Sequence, residues 1–198
     1  MKHIEEDIPK DIPYKKLIAF NYFGGKHNSL KWLLPLLPKS YSYVEPFGGS
    51  AVVLLNRAPS KIETYNDISS EIVNFFRVLR GNPVGLCEQI YFTPYSKEEY
   101  RICFHTLGSG SDIERARKFF VCVNQSFSAT IGRYTGWKFS TKSSRNLIAE
   151  PVSRWLNKLP KLAYIIERLK EVQIQNEDFE SIIKKTSVGF DPRGLLKN

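Results

Sequence analysis

Cysteine is scarce in this chain, and what there is shows no pairing pattern. Cys87, Cys103 and Cys122 are odd in number, widely spaced and outside any C-x-x-C arrangement. That excludes a disulfide framework and a thiolate zinc site, and three buried thiols are the expectation. Histidine is as sparse: His3, His27 and His105 stand alone, without H-x-x-x-H or H-E-x-x-H spacing, so no bound metal is expected. No apolar run approaches the roughly eighteen residues of a membrane helix. The N-terminus, acidic after Lys2, lacks the apolar core of a secretory signal. A cytoplasmic protein without membrane contact follows as the expectation. Two nucleotide signatures are also missing. Without G-x-G-x-x-G spacing a dehydrogenase-like dinucleotide site is disfavoured, and without G-x-x-x-x-G-K-[ST] so is phosphate chemistry.

What is present is ordinary globular material, 198 residues with 42% hydrophobic and 25% charged side chains, enough for one domain carrying an insertion or for two small domains. Acids are few in one stretch. From Arg115 to Lys158 nine basic residues face a single acid, Glu150, so this segment holds +8 of the formal net charge of +9. Interleaved with Tyr134, Trp137, Phe139 and Trp155, it suits a surface that neutralises phosphates and offers rings to bases. The plainer alternative is a solvated face that keeps the protein in solution.

The periodicities predict an alternating α/β order. Leu30, Leu33, Leu34 and Leu37 mark a short helix broken near Pro35. Tyr43 to Pro46 reads as a buried strand, Ser50 to Arg57 as a helix and Lys61 to Tyr65 as a second strand. Ile72, Phe75, Phe76 and Leu79 fall at i, i+3, i+4, i+7, which predicts a helix over 69–80 stopped by Gly81-Asn82-Pro83. Strand, helix, strand, helix is the pattern of a parallel sheet.

After Pro83 the rhythm changes. Ser96-Lys97-Glu98-Glu99 and Ser111-Asp112-Ile113-Glu114 are capping-box spacings that open two helices, hinged at Gly108-Ser109-Gly110, where a third strand was due. Ser126 to Ser144 reads as a loop or hairpin. Val152 to Lys170 is helical with a break at Pro160, Val172 to Gln175 a strand, and 178–184 a last helix before the start of a fourth strand at Val188.

Two glycine turns stand out, Tyr22-Phe23-Gly24-Gly25-Lys26 and Glu45-Pro46-Phe47-Gly48-Gly49-Ser50, with Tyr65-Asn66-Asp67 following the second. Small residues between a strand and a helix let the backbone approach a ligand, and an acid after the next strand can reach a ribose. That order reads as a cofactor pocket. Each piece has a plainer reading: a tight turn for Gly24-Gly25, a turn or helix cap for Asp67.

Taken in order with Asn176-Glu177-Asp178-Phe179, these motifs resemble the S-adenosylmethionine-dependent DNA adenine-N6 methyltransferases, over about residues 19–191. The resemblance implies a Rossmann-like methyltransferase sheet with a mainly helical target-recognition insertion. Its parts would be 1–82 and 152–198 for the cofactor domain and 83–151 for the insertion. Tyr22, Gly24, Gly25 and Lys26 would hold the methionine end of S-adenosylmethionine, the lysine pairing with its carboxylate. Glu45, Pro46, Phe47, Gly48 and Gly49 would lie beneath the amino-acid portion and Asp67 on the ribose. Asp178 and Phe179 would meet the adenine amine and ring, with Asp178 also able to cap a helix. Arg133, Trp137, Lys138 and Arg145 are the DNA-contacting candidates, and double-stranded DNA is the implied partner.

The family's catalytic motif is Asp or Asn, then Pro-Pro-aromatic, which holds the amine of an adenine rotated out of the duplex. Here the matching residues read Asp191-Pro192-Arg193-Gly194. Asp191 and Pro192 are the catalytic candidates, but the second proline and the stacking ring are absent. By resemblance, the present strands would form about half a sheet. The expectation is a site-specific adenine-N6 methyltransferase of restriction-modification or prophage type, shortened at its catalytic motif, with turnover by this chain alone left open. The alternative is a noncatalytic DNA- and S-adenosylmethionine-binding remnant, or one half of a split enzyme completed by a companion polypeptide.

Overall fold

The computed structural model describes residues 16–128 and 132–187. A 3₁₀ turn at Lys26–Asn28, helix α1 (Leu30–Leu33) and a second 3₁₀ turn at Leu34–Leu36 precede strand β1 (Ser42–Glu45). Helix α2 (Val52–Asn56), strand β2 (Ile62–Asn66) and helix α3 (Ser70–Gly81) complete the alternation. Helices α4 (Pro83–Tyr91), α5 (Lys97–His105) and α6 (Asp112–Gln125) follow. A two-residue hairpin, β3 (Ser144–Arg145) and β4 (Ile148–Ala149), leads into α7 (Glu150–Leu156) and α8 (Leu159–Leu169). Strand β5 (Val172–Gln175) and helix α9 (Phe179–Ser187) close the described chain. The strand expected from Val188 lies outside it.

The sheet runs β1-β2-β5, with both pairs parallel. Such pairing needs crossover connections that cover the sheet, and β2, flanked on both sides, is buried from Glu63 to Asn66. Rings dominate the core. Phe20, Phe75 and Phe119 meet with centroids 5.0 to 5.7 Å apart, and Phe75 stacks on Phe120 at 5.5 Å. Buried residues of α2, α3, α4, α5, α6 and α8 join the same cluster, so the helices between β2 and β5 share the core of the sheet.

Three helices, not two, separate α3 from the hairpin. Gly81-Asn82-Pro83 ends α3 as expected but also begins α4: Asn82 Oδ1 accepts the Gly85 amide at 3.2 Å, and Pro83 sits where a missing N–H is harmless. The second capping box is complete, Glu114 accepting the Ser111 amide at 3.0 Å. The first is half made. Ser96 accepts the Glu99 amide, but the Glu99 carboxylate turns inward to Arg117 and Cys103. The thiols are likewise only partly as expected: Cys103 and Cys122 are buried, and Cys87 is half-buried. Burial pushes Cys103 and Cys122 up to about 12, which makes them inert at neutral pH.

Residues 126–128 and 132–143 form no helix or extended strand, and an antiparallel bridge joins Ser126 to Trp137. The formal hairpin lies beyond it and turns through Asn146 and Leu147, at φ +55 and +63. Both are left-handed, the geometry that normally selects Asn-Gly. Leu147 is 100% exposed, so no packing offsets the Cβ penalty of about 1 to 2 kcal/mol. Leu147→Gly is therefore expected to raise stability by about 0.5 to 1 kcal/mol, after the entropy of glycine is subtracted. Urea unfolding checks it; an unchanged or lower midpoint means the turn is not strained.

Candidate functional site

The two glycine turns and the end of β2 converge on a cavity of about 500 Å³. Tyr22, Gly24, Gly25, Lys26, Glu45, Phe47, Gly48, Gly49 and Asp67 all line it, so nine of the twelve residues expected to hold a cofactor are brought together. The three that do not line it are tied to it. Pro46 accepts the Asn66 Nδ2 amide hydrogen at 3.0 Å, and Phe179 packs on Phe47 with centroids 5.1 Å apart. Asp178 opens α9, where its Oδ1 accepts the Glu180 amide at 2.8 Å, the capping role.

Each glycine of the second turn is required for a different reason. At Gly48 a Cβ would sit 2.1 Å from Cε2 of the buried Tyr65 ring. At Gly49 φ is +50, and a Cβ would also crowd Tyr22 at 3.2 Å. The turn is then fastened from β2. Tyr65 donates its hydroxyl to the Gly49 carbonyl at 2.7 Å, the Gly48 amide reaches Asn66 O at 2.7 Å, and the Gly49 amide reaches Asp67 Oδ2 at 2.8 Å.

Asp67 is therefore a turn holder, because its Oδ1 also accepts the Ser69 amide at 2.8 Å. Each carboxylate oxygen has one further lone pair for a ligand hydroxyl. In the first turn Gly24 takes φ +73, the Gly25 amide closes on Tyr22 O at 3.0 Å, and Lys26 Nζ donates to Gly24 O at 3.0 Å. Burial and the nearby Asp67 raise the Tyr22 phenol, which stays neutral.

Glu45 is the unusual group. Burial pushes its carboxyl up to about 8, against the lowering effect of the Leu54 amide and the Arg57 guanidinium, while Glu63 adds to the rise. The folded chain thus holds a proton that the unfolded chain releases near pH 4.5, so this stability is full below that value and is lost as pH climbs through about 8. The slope is at most about 1.4 kcal/mol per pH unit. Glu45→Gln is expected to flatten the fall in Tm between about pH 5 and 8 and to exceed wild type by about 1 to 2 kcal/mol at the upper end. Parallel Tm profiles for the two proteins would show that Glu45 carries no such proton.

Two asparagines that sequence reasoning did not assign complete the arrangement. Asn66 is wholly buried; it donates to Pro46 O and to Glu177 O at 2.9 Å, and accepts the Glu177 amide at 2.9 Å. Asn176 donates to Asp67 O at 2.8 Å and accepts from Ser70 Oγ at 2.9 Å. Together they lock the Asp178-Phe179 segment to the second glycine turn. The signal in the sequence was a polar residue ending a buried strand, since buried amides must be paired.

The DNA candidates are spread out. Arg133 and Arg145 are exposed. Trp137 is half-buried, donating Nε1 to Gln125 at 3.2 Å and stacking on Phe139 at 5.8 Å. Lys138 is tied by its backbone to Gln125 and Tyr95, and its ammonium is depressed by burial and by Arg154. Much of the basic stretch belongs to the fold: Arg115 pairs with Glu71, Arg117 with Glu99, and Lys118 donates to Ser109 O. Asp191 and Pro192 lie outside the described residues. Among the described residues no group of His, Cys, Asp and Glu is placed to hold a metal, and no helix is long and apolar enough to cross a membrane.

The family model for D12 class N6 adenine-specific DNA methyltransferases matches residues 22–191, from the first glycine turn through the Asp191 position. The type II methyltransferase M1.LlaDCHI of Lactococcus lactis subsp. cremoris is 28% identical over 191 residues, covering 85% of this chain and 62% of its own length. Modification methylase StsI of Streptococcus sanguinis is 39% identical over 72 residues, 35% of this chain and 11% of its own. The chain thus spans under two thirds of the length of either relative. Because the match runs through both glycine turns, the β2 acid and the segment after β5, the chain belongs to the D12 class of N6 adenine-specific DNA methyltransferases.

Proposed function

We propose that this chain serves site-specific methylation of the adenine amine in double-stranded DNA, with S-adenosylmethionine held in the cavity between the two glycine turns. The observation that carries the reading is the convergence of Lys26, Glu45, Gly48, Gly49 and Asp67 on one cavity. The donor set suits such a ligand: an ammonium, two carboxyl groups, and a turn whose Gly48 leaves no room for a side chain. In this assignment Lys26 pairs with the ligand carboxylate and Glu45 lies beneath the amino-acid portion. The free lone pairs of Asp67 accept ribose hydroxyls, while Phe47, Phe179 and Asp178 receive the adenine. When bound, the cofactor supplies an electrophilic methyl sulfonium.

Residues 83–151 are the proposed target-recognition insertion, with Arg133 and Arg145 among its exposed cations. Asp191 and the backbone at Pro192 are proposed to accept hydrogen bonds from the target amine and orient its lone pair. Arg193 and Gly194 favour a second reading, since a contact worth about 1 to 3 kcal/mol per stacked base is missing. On that reading the chain binds cofactor and DNA but needs a companion polypeptide for turnover. Calorimetry with sinefungin tests the site, and tritium transfer from labelled cofactor to adenine-containing duplex tests turnover. No heat of binding at millimolar ligand overturns the cofactor assignment. Binding without transfer selects the second reading.

A further inference from the structure

A second cavity, of about 540 Å³, opens between the β3–β4 hairpin and the α7–α8 junction. Its lining includes Asn21, Arg145, Arg154, Lys158 and Lys161. These come from three separate places: the loop entering the first glycine turn, the hairpin, and the two helices. Four cationic side chains sharing one concavity repel one another, and folding alone gives no reason to collect them. Among the described residues Glu150 is the acid beside them; it pairs with Arg154 and acts on Arg145. Among the described residues this is one carboxylate against Arg145, Arg154 and Lys158, which leaves a surplus of positive charge around that side of the groove. Lys158 is half-buried and makes no ion pair among the described residues. Its ammonium is pushed down to about 8 by burial and then by Lys161, Lys138 and Arg154. A concave, partly desolvated, cationic site with an amide on its wall has the chemistry of a phosphate seat.

We propose that this groove seats one backbone phosphate of duplex DNA, held by Arg145 and Lys158 with Lys161 and Asn21 beside them. The inference rests on the reading of DNA as the partner and adds the place where the backbone is gripped. That place lies across the boundary of the basic insertion. Lys158 and Lys161 follow it in sequence, and Asn21 immediately precedes Tyr22 of the cofactor cavity. A phosphate seated here therefore rests against the segment of chain that forms the cofactor turn.

Lys158→Met keeps the apolar stem and removes the charge, which gives a test that a structural role would not mimic. With the full chain, inorganic phosphate at constant ionic strength is expected to raise the Tm of wild type. Lys158→Met is expected to start from a higher Tm and to lose the phosphate response. Affinity for a 30-base-pair duplex is then measured against salt. The slope of log affinity against log salt is expected to fall by about 0.9 in Lys158→Met, one phosphate contact, with calorimetric sinefungin binding unchanged. Arg145→Ala, exposed and outside the core, is expected to give the same loss of slope. A phosphate response without a change of slope in either variant makes the groove a seat for a small free anion and overturns the proposal. Unchanged phosphate response and slope overturn it too, while leaving DNA as the partner. A wild-type chain that binds no duplex overturns the DNA reading itself, and this inference with it.

Discussion

Gly48→Ala is expected to lower stability by about 3 kcal/mol or more and to abolish cofactor binding, although it adds a single methyl group. The added Cβ would lie 2.1, 2.5 and 2.8 Å from three carbons of the Tyr65 ring. That ring has no route of escape. It is fully buried, packs on Phe76 with centroids 5.1 Å apart, and is anchored by its hydroxyl to the Gly49 carbonyl. The backbone cannot retreat cheaply either, because the Gly48 amide is bound to Asn66 O and its carbonyl accepts the Ala51 amide at 2.8 Å. Whichever side gives way, the turn beneath the proposed cofactor is deformed. Gly81→Ala is the control: at the end of α3 nothing lies within 4 Å of the added carbon, so stability should hold or rise by up to about 1 kcal/mol. Gly48→Ala with Tyr65→Val should recover part of the loss, since the two sites share one clash. Equal midpoints for wild type and Gly48→Ala would show that the turn yields.

The parts of this fold that sequence reveals are those written in local periodicity. The β1-α2-β2-α3 alternation, the helices opened at Ser96 and Ser111, the break at Pro160 and strand β5 all follow from spacings of two to four residues, and all are present within a residue or two. Helix α4 escaped because Asn82-Pro83 is punctuation that serves both as a stop and as a start. The candidate cavity was legible because its glycines and its acid sit in short motifs.

What stayed hidden depends on partners far away in sequence. Summed charge made one basic surface of residues 115–158, yet Arg115 finds Glu71 44 residues earlier and Arg117 finds Glu99 18 residues earlier. Conversely, the basic groove is assembled from Asn21, the hairpin and α8, which no single window contains. The proton on Glu45 depends on burial, a property of the finished cavity. The roles of Asn66 and Asn176 depend on contacts spanning 106 to 111 residues.

Asn66→Asp tests the longest of these connections, and the change is nearly isosteric. The amide of Asn66 donates to two carbonyls, of Pro46 and Glu177, and its oxygen accepts the Glu177 amide. A carboxylate keeps the last bond but places a negative oxygen against two carbonyl oxygens at a fully buried site. Each unmet buried group costs about 1 to 3 kcal/mol, and an unpaired buried charge costs more. A loss of at least about 3 kcal/mol is therefore expected at neutral pH. It should shrink as pH falls, because the introduced carboxyl group, once protonated, regains one donor. The same change frees the Asp178-Phe179 segment from the second glycine turn, so sinefungin affinity should fall further than Asn176→Ala makes it fall. Asn176 is more exposed, and its removal is expected to lower stability by only about 1 kcal/mol. Urea unfolding at two pH values and calorimetry below the unfolding range read both effects. An Asn66→Asp protein within about 0.5 kcal/mol of wild type, or one that binds sinefungin normally, would mean that the two halves of the proposed cofactor cavity are aligned by something other than this amide.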